Sequence, residues 1–256
     1  MRIITINAWG GRSMHPLMRF FRHRKEEADV FCIQEAFDCE QSVLDAKRPD
    51  EHVRGDMFRR ICGELPDFTG AFARFEDDPS RMSLAVFVRK SLPIAAIEDF
   101  IVHVPAFPMD AGKAVLSSRK LQTVRIGRDG GDLLIANYHG LWVNGPKTDT
   151  SERIAQSRDI VAALAKHPGP KVLVGDFNLL PDTASVRMLE TEAGLRNLVV
   201  EHGVTSTRTP LYRHYENPAE PNFADYVMPS HDLVLKRFEV LPDIVSDHSP
   251  LFVEFA

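Results

Sequence analysis

The chain has few cysteines, and this scarcity excludes two kinds of small, cross-linked domain. Its three cysteines, Cys32, Cys39 and Cys62, are an odd number without zinc-type spacing. The sequence therefore predicts neither a disulfide framework nor a structural zinc site. Cys32 lies in an apolar run, so we expect it to be a small buried residue. A reducing compartment, the cytoplasm, is the expected location.

Long apolar runs and an excess of positive charge are also missing. No apolar stretch approaches the length of a membrane span, and the apolar residues after Met1 are too few for a signal-peptide core. The net charge of −5 argues against tight, non-specific binding of nucleic acid over the whole surface, although it allows a local basic patch. There is no repeat, low-complexity tract or linker, so residues 1–256 are predicted to be a single domain.

What the chain does contain is a series of short apolar strands alternating with helical patterns. An apolar fraction of 44% and a charged fraction of 26% are typical of a soluble globular protein. We predict strands at 3–7, 30–35, 68–75, 83–89, 94–104, 120–126, 133–138, 171–175, 223–228, 232–240 and 251–255, and helices at 15–29, 41–46, 54–65, 150–166 and 182–191. Residues 105–118 and 204–222 are predicted to be surface loops.

One strand leads directly into two oxygen-bearing side chains. The run Val172-Leu173-Val174-Gly175 is followed by Asp176 and, two residues later, Asn178. Because side chains alternate along a strand, such an ending aims Asp176 and Asn178 in the same direction. Carboxylate and amide oxygens held together suit a hard metal ion or a polarised water molecule. Taken alone, the stretch fits equally a strand followed by an Asx turn.

Polar residues also stand at other strand ends or loop starts. They are Asn7, Glu35, His139 and the pair Asp247-His248, while Asp225 lies within the apolar strand 223–228. A buried carboxylate is costly unless it is paired, and histidine is a frequent partner. Each residue has an ordinary alternative, as a turn cap, a core histidine or part of a loop. The whole set is harder to explain in that way and predicts a shared site.

This ordered set resembles the endonuclease/exonuclease/phosphatase superfamily, which includes pancreatic-type deoxyribonucleases, abasic-site repair nucleases, neutral sphingomyelinases and inositol polyphosphate 5-phosphatases. The resemblance runs through Asn7, Gln34-Glu35, Asn137-Tyr138-His139, Gly175-Asp176-Phe177-Asn178, Ala224-Asp225-Tyr226 and Ser246-Asp247-His248. It covers almost the whole chain in the family's order and spacing. It implies an α/β fold, a four-layer α/β sandwich with two packed mixed β-sheets flanked by helices.

The resemblance also implies a metal site. Glu35, supported by Asn7 and Asp247, would hold Mg²⁺ or Mn²⁺ against a phosphate oxygen. Ligation by oxygen atoms suits such hard cations. The implied activity is that of a divalent-metal-dependent phosphoester hydrolase.

The remaining members of the set are implied to be catalytic. His248, oriented by Asp225, would take a proton from the attacking water. Asp176 would position that water, and Asn178 would donate a hydrogen bond to the charged transition state. His139 would be a second donor or acid at the phosphate, as in the two-histidine members of the family.

Two groups of basic residues are candidates for substrate binding. Lys113, Arg119 and Lys120 could bind phosphate near the site, and in the second group Arg208, Arg213 and His214 alternate with Tyr212 and Tyr215. Such a pattern can hold a phosphate chain by charge and stacking. We assign substrate binding to Arg119, Tyr212 and Arg213, although a polar surface loop is the simpler interpretation of the second group.

We expect a monomeric phosphodiesterase or nuclease whose substrate is a phosphoester, with nucleic acid as one class. A phosphatase or phosphodiesterase acting on a lipid headgroup or a small phosphorylated metabolite is the alternative among enzymes. The missing secretion signal argues against a secreted sphingomyelinase or toxin. The alternative that is not an enzyme is a catalytically silent RNA- or protein-binding member of the same fold.

Overall fold

The computed structural model describes residues 1–103, 118–128, 130–143, 145–217 and 221–256. Its strands are β1 Arg2–Asn7, β2 Val30–Ala36, β3 Phe68–Phe72, β4 Ser83–Arg89, β5 Ile94–His103, β6 Arg119–Ile126, β7 Leu133–His139, β8 Lys171–Asp176, β9 Asp225–Pro229, β10 Leu235–Val240 and β11 Leu251–Phe255. Its helices are α1 Met14–Arg24, α2 Gln41–Lys47, α3 Met57–Glu64, α4 Ser151–Ala165, α5 Ala184–Thr191 and α6 Leu198–Glu201, with a short 3-10 helix at Trp9–Gly11.

The strands form two mixed sheets. The first has the order β10-β11-β1-β2-β4-β3 and the second the order β5-β6-β7-β8-β9. Parallel pairs, β1 with β2 and β7 with β8, lie inside the sheets, and their neighbours run antiparallel. The sheets pack on each other with helices on the flanks, so the prediction of a four-layer α/β sandwich is confirmed.

Both faces of the first sheet are covered, which explains its continuous apolar strands. Ile3 of β1 belongs to the core between the sheets, whereas its neighbour Ile4 packs with Leu17 and Phe21 of α1. Because consecutive side chains point to opposite faces, a strand covered on both sides buries residues at consecutive positions. β1 and β2 are therefore mainly apolar, with buried polar residues such as Thr5 and Gln34 as exceptions.

Several predicted boundaries were wrong by a few residues. The predicted helix 15–29 ends at Arg24, and the predicted strand 223–228 begins only at Asp225. In the second case the backbone N–H groups of Ala224 and Asp225 donate to the hydroxyl of Thr207, so they are not available to a neighbouring strand. The predicted loop 105–118 lies outside the described residues except for Ser118, and Lys113 lies outside them too.

A β-bulge interrupts β2 at the position of Glu35. The pairing of β2 with β4 shifts register between Ile33 and Ala36, and Glu35 adopts a left-handed backbone with φ 56°. Such a conformation is costly for a residue with a side chain and is concentrated at functional sites. The bulge turns the Glu35 side chain toward the end of the sandwich.

A buried polar cluster joins the two sheets behind this bulge. Asn137 of β7 donates to the carbonyl oxygens of Ile33 (3.2 Å) and Ala85 (3.1 Å), and it accepts a hydrogen bond from Gln34 (2.6 Å). Gln34 also donates to Thr5 at 3.0 Å. These side chains are nearly inaccessible to solvent, so their hydrogen bonds help to fix the register of one sheet on the other.

The helices of the described residues are short or amphipathic. None of them is long and apolar enough to cross a membrane.

Candidate active site

The polar residues predicted at strand ends meet at one end of the sandwich, between the two sheets. The first sheet contributes Asn7 at the end of β1, Glu35 at the bulge of β2, and Asp247 and His248 just before β11; the second contributes His139 at the end of β7, Asp176 at the end of β8 and Asp225 at the start of β9. Neither sheet alone contains the set.

His248 and Asp225 form a buried pair. The Nδ1 atom of His248 lies 2.9 Å from both carboxylate oxygens of Asp225, and Thr207 donates a hydrogen bond of 2.8 Å to the same carboxylate. With the Nδ1 proton held by Asp225, the other ring nitrogen is free to accept a proton. That nitrogen, Nε2, faces Asp176, whose Oδ2 is 3.6 Å away.

The charge around this histidine is dominated by carboxylates. Burial lowers the pKa of His248, and so does the charge of Arg208. Asp225 and the other nearby carboxylates outweigh both effects and hold the pKa above that of an ordinary histidine. The pair has the arrangement of a base and its orienting group.

Asp176 is buried and fixed by hydrogen bonds on both oxygens. The side-chain amide of Asn7 donates to its Oδ2 at 2.8 Å, and the backbone N–H of Asn178 donates to its Oδ1 at 2.9 Å. Burial raises the pKa of Asp176, but the neighbouring His248 and His139 outweigh burial and keep the pKa well below its usual range. Asp176 is therefore an ionised acceptor that can hold a water molecule.

Glu35 is the more exposed of the acidic groups, with 20% of its side chain accessible. Asn7 bridges it to Asp176, since the same amide nitrogen lies 3.1 Å from Glu35 Oε1. The side-chain oxygen Oδ1 of Asn7 meanwhile accepts a hydrogen bond from the backbone N–H of Trp9 at 2.9 Å. Asn7 thus orients both carboxylates. Burial and the charge of Asp247 raise the pKa of Glu35, as expected where a cation would relieve repulsion.

The donor atoms in this region fit a divalent cation. Glu35, His139 and Asp176 each bring one ligand atom to within 4.8 Å of the others. The Nε2 atom of His139 is 4.0 Å from Glu35 and 3.7 Å from Asp176, and it is buried with no hydrogen-bond partner among the described residues. An unpaired buried nitrogen beside two carboxylates indicates room for a ligand between them.

His139 is neutral at this position. Burial, followed by the charge of Arg119, lowers its pKa to about 3. A neutral imidazole can donate one N–H bond, so the geometry fits the predicted role of donor better than that of acid.

Asn178 reaches the site by a route that strand alternation does not describe. β8 ends at Asp176, and Asn178 has a left-handed backbone with φ 54°. The expectation that the two side chains align as strand neighbours was therefore wrong, because the chain has already turned. The turn is the Asx turn considered as the alternative, closed by Asp176 on the N–H of Asn178. The Asn178 amide lies 3.4 Å from the carbonyl oxygen of Gly140.

The predicted substrate-binding residues lie in three different settings. Arg119 is buried beside His139 in a small pocket and donates to the carbonyl of Gly140 at 3.1 Å. Tyr212 is half-buried, and its ring lies under the guanidinium of Arg208, with 4.4 Å between Cζ and the ring centroid. Arg213 is exposed and forms no hydrogen bond or ion pair within the described ranges.

Two cations close to the carboxylates were not selected from the sequence. Arg208 was one of several basic residues in a polar loop, and its Nη1 binds Asp247 at 3.1 Å. Lys147 follows Gly145-Pro146 with no pattern around it, and it is buried with its ammonium 2.7 Å from the carbonyl of Phe223. Thr207, which holds Asp225, was also missed. Nothing in the local sequence distinguishes Lys147 or Thr207 from loop residues.

Comparison with known proteins agrees with this geometry. The model of the Endonuclease/Exonuclease/phosphatase family matches residues 4–248. A search of curated proteins finds no match.

Several solved structures have the same fold as this chain. A mannosyl-6-phosphatase of Bacteroides thetaiotaomicron VPI-5482 superposes with a TM-score of 0.72 at 18% identity, covering 100% of this chain and 99% of that one. A humanized D. rerio TDP2 gives 0.71 at 15% identity, covering 100% and 98%. The human Nocturnin catalytic domain with bound sulfate gives 0.66 at 16% identity, covering 100% and 93%. At these identities the similarity shows the fold.

Proposed function

Since the chain belongs to the endonuclease/exonuclease/phosphatase family, we propose that it is a divalent-metal-dependent phosphodiesterase in which His248 activates the attacking water. The observation that carries this proposal is the buried His248–Asp225 pair, with the Nε2 of His248 facing Asp176 at 3.6 Å. A silent member of the fold would have no use for a buried base of this kind, whose desolvation is costly.

The metal would lie among oxygen donors of the first sheet. Glu35 and Asp247 would hold Mg²⁺ or Mn²⁺, with Asn7 fixing the orientation of Glu35. When bound, the cation would polarise a phosphoryl oxygen and offset its charge.

The protein's own residues would carry the proton and the charge. Nε2 of His248 would take a proton from a water molecule held by Asp176, and the water oxygen would form the new bond to phosphorus. The amide of Asn178 and the N–H of His139 would donate to the phosphoryl oxygens as negative charge develops on them. The bond to the leaving oxygen would then break, and that oxygen would leave with a proton from the solvent or the site.

Arg119, Tyr212 and Arg213 would contact the rest of the substrate. Cys32, Cys39 and Cys62 are all free thiols, which supports a cytoplasmic location.

Hydrolysis of bis-p-nitrophenyl phosphate tests the activity. We expect turnover with Mg²⁺ or Mn²⁺ and none with excess EDTA. Glu35→Gln and His248→Ala should each lower kcat/KM by roughly 100- to 10,000-fold, and Asp225→Asn should lower it less, because Asp225 acts through His248. His231→Gln, which alters an exposed histidine, should have the wild-type rate. Unchanged rates in both Glu35→Gln and His248→Ala would show that the site is assigned wrongly.

A substrate screen distinguishes phosphodiester hydrolysis from the alternative activities. Plasmid DNA, single-stranded RNA, phosphoinositides, sphingomyelin and p-nitrophenyl phosphate would be compared under the same metal conditions. Preference for p-nitrophenyl phosphate by more than about tenfold would favour a phosphatase acting on small phosphorylated metabolites.

A further inference from the structure

Arg208 is held rigidly next to the proposed base. Its backbone forms an antiparallel bridge with His248, and the flanking hydrogen bonds join Thr209 to Asp247 (3.2 Å) and Ser249 to Thr207 (2.9 Å). The residue is only 8% exposed although it lies in a polar loop. A buried arginine whose backbone is tied to the catalytic histidine has little freedom to move away from the site.

The guanidinium group is also fixed, and part of its donor capacity is unused. Nη1 donates to Asp247 Oδ2 at 3.1 Å, and the group lies over the ring of Tyr212. Nε is buried and has no hydrogen-bond partner among the residues that the structure describes. A buried N–H without an acceptor is unfavourable, and an acceptor bound beside it would remove this cost.

A second buried cation, Lys147, lies near the same Tyr212 ring. The ammonium of Lys147 is 5.9 Å from the centroid of the Tyr212 ring. Burial, followed by the charge of Arg208, lowers the pKa of Lys147 to about 8, so the lysine remains largely charged at neutral pH. Arg208 and Lys147 thus place two cations beside one aromatic ring next to Asp247, where a phosphate oxygen could pair with them.

We propose that Arg208, held on Tyr212, binds a non-bridging oxygen of the substrate's phosphate through donor groups that Asp247 does not occupy. Arginine presents several N–H groups in one plane, so it can pair with a carboxylate on one edge and a phosphate on another. Arg208 would therefore share the phosphate with Asn178 and His139. The proposal rests on the proposed phosphoester hydrolysis and adds a phosphate-binding residue to it.

Two substitutions and one matched control test the proposal. Arg208→Lys keeps a positive charge for Asp247 but loses the planar donor set, and Arg208→Gln loses the charge as well. Arg237→Gln is the control, because Arg237 also pairs with a carboxylate (Glu239) and lies over a ring (Phe252), but on β10. We expect kcat/KM for bis-p-nitrophenyl phosphate to fall about 100-fold in Arg208→Gln and at least about tenfold in Arg208→Lys, with the control unchanged.

A role limited to holding Asp247 gives a different result. In that case Arg208→Lys would lose Mn²⁺ affinity, measured by paramagnetic resonance, while inorganic phosphate would inhibit it at saturating Mn²⁺ as strongly as it inhibits the wild type. The proposal requires the opposite: near-normal Mn²⁺ affinity and a phosphate inhibition constant raised about tenfold or more. If Arg208→Gln does not fold, the comparison of Arg208→Lys with wild type still decides.

The outcome is separable from that of the proposed function. If the wild type hydrolyses no phosphoester with any metal, the proposed function fails. Calorimetric titration of wild type and Arg208→Lys with inorganic phosphate in the presence of Mn²⁺ still measures whether Arg208 binds the anion. Equal phosphate affinity in the two proteins would overturn the proposal.

Discussion

At the scale of single residues, Asn178 has to satisfy two requirements at once. Its amide is proposed to donate to the phosphate, and its backbone is left-handed with φ 54°. Asparagine tolerates that conformation better than most residues with a side chain. The residue type is therefore constrained by the turn as well as by the chemistry.

Two substitutions at Asn178 separate these requirements. Asn178→Gly and Asn178→Ala both remove the amide, so both should lower kcat about 100- to 1,000-fold. Only alanine adds backbone strain, so Asn178→Ala should unfold with a free energy about 1 kcal/mol lower than Asn178→Gly. Urea denaturation and steady-state kinetics measure the two effects. Equal stability of the two variants would contradict the role assigned to the backbone.

The candidate site residues could be predicted from the sequence, but the tertiary contacts around them could not. Glu35 and Asp176 stand at the ends of apolar strands and His248 shortly precedes one, so their common position was expected. The bulge that turns Glu35, and the pairing of Arg208 with Asp247, depend on chain segments far apart in sequence. No local pattern reports such contacts, which is why Lys147 and Thr207 were missed.

At the scale of secondary structure, β7 and β8 approach each other so closely at their ends that position 175 requires glycine. A Cβ atom on Gly175 would lie 2.0 Å from the carbonyl oxygen of Tyr138, and its φ of +134° is unfavourable for other residues. Asp176 directly follows Gly175 at this point of close approach. The strand end that supplies Asp176, the carboxylate proposed to position water, therefore depends on the absence of a side chain at position 175.

Gly175→Ala should be strongly destabilising. We expect a loss of about 3 kcal/mol or more, or a melting temperature about 10 °C lower, because a backbone atom has to move. Gly63→Ala is the matched control: Gly63 is exposed in α3, and a Cβ there meets nothing within 4 Å. The control should be about 0.5–1 kcal/mol more stable than wild type. A mild effect at Gly175 would argue against the close strand approach.

The start of β2 is tied to β1 by an ion pair whose contribution depends on pH. Asp29 accepts hydrogen bonds from the backbone and guanidinium of Arg2. Burial raises the pKa of Asp29, but these bonds outweigh burial and lower the pKa below the ordinary value of 3.8. The pair therefore stabilises the fold above pH 3.8, and this stabilisation is lost as the pH falls through the lower pKa of the folded state.

Asp29→Asn tests this dependence. The free energy of unfolding of the variant should be lower than that of the wild type at neutral pH. This difference between the two proteins should become smaller as the pH is lowered below 3.8. Denaturation by urea at a series of pH values measures it. A gap that is constant or grows with acidity would contradict the assignment.

At the scale of the whole molecule, hydrogen bonds of Asn137 connect the two sheets. Asn137→Leu would leave the carbonyls of Ile33 and Ala85 and the amide of Gln34 without their partner. We expect a loss of about 3 kcal/mol in the free energy of unfolding. Because Ile33 borders the bulge at Glu35, Mn²⁺ affinity should fall as well. A stable variant with weakened Mn²⁺ binding would still support a connection between Asn137 and the site at Glu35. Unchanged stability together with unchanged Mn²⁺ affinity would refute it.

The architecture was predictable at this scale because it depends on order and periodicity. Continuous apolar strands predicted sheets covered on both faces, and the ordered polar residues indicated the family. The ends of elements were less predictable. At the start of β9, the hydroxyl of Thr207 accepts hydrogen bonds from the backbone N–H groups of Ala224 and Asp225. The beginning of this strand therefore depends on a tertiary contact that the residues of β9 do not reveal.

The division of the site between two sheets has a consequence for refolding. Glu35 and His248 belong to one sheet, and Asp176 and Asp225 belong to the other. During refolding from urea, each sheet could form without a single catalytic contact being made across the interface. Pairing of β1 with β11, which joins distant parts of the chain, should itself be slow. The circular dichroism signal should therefore recover before the hydrolytic activity does. Recovery of activity would then report when the two sheets dock.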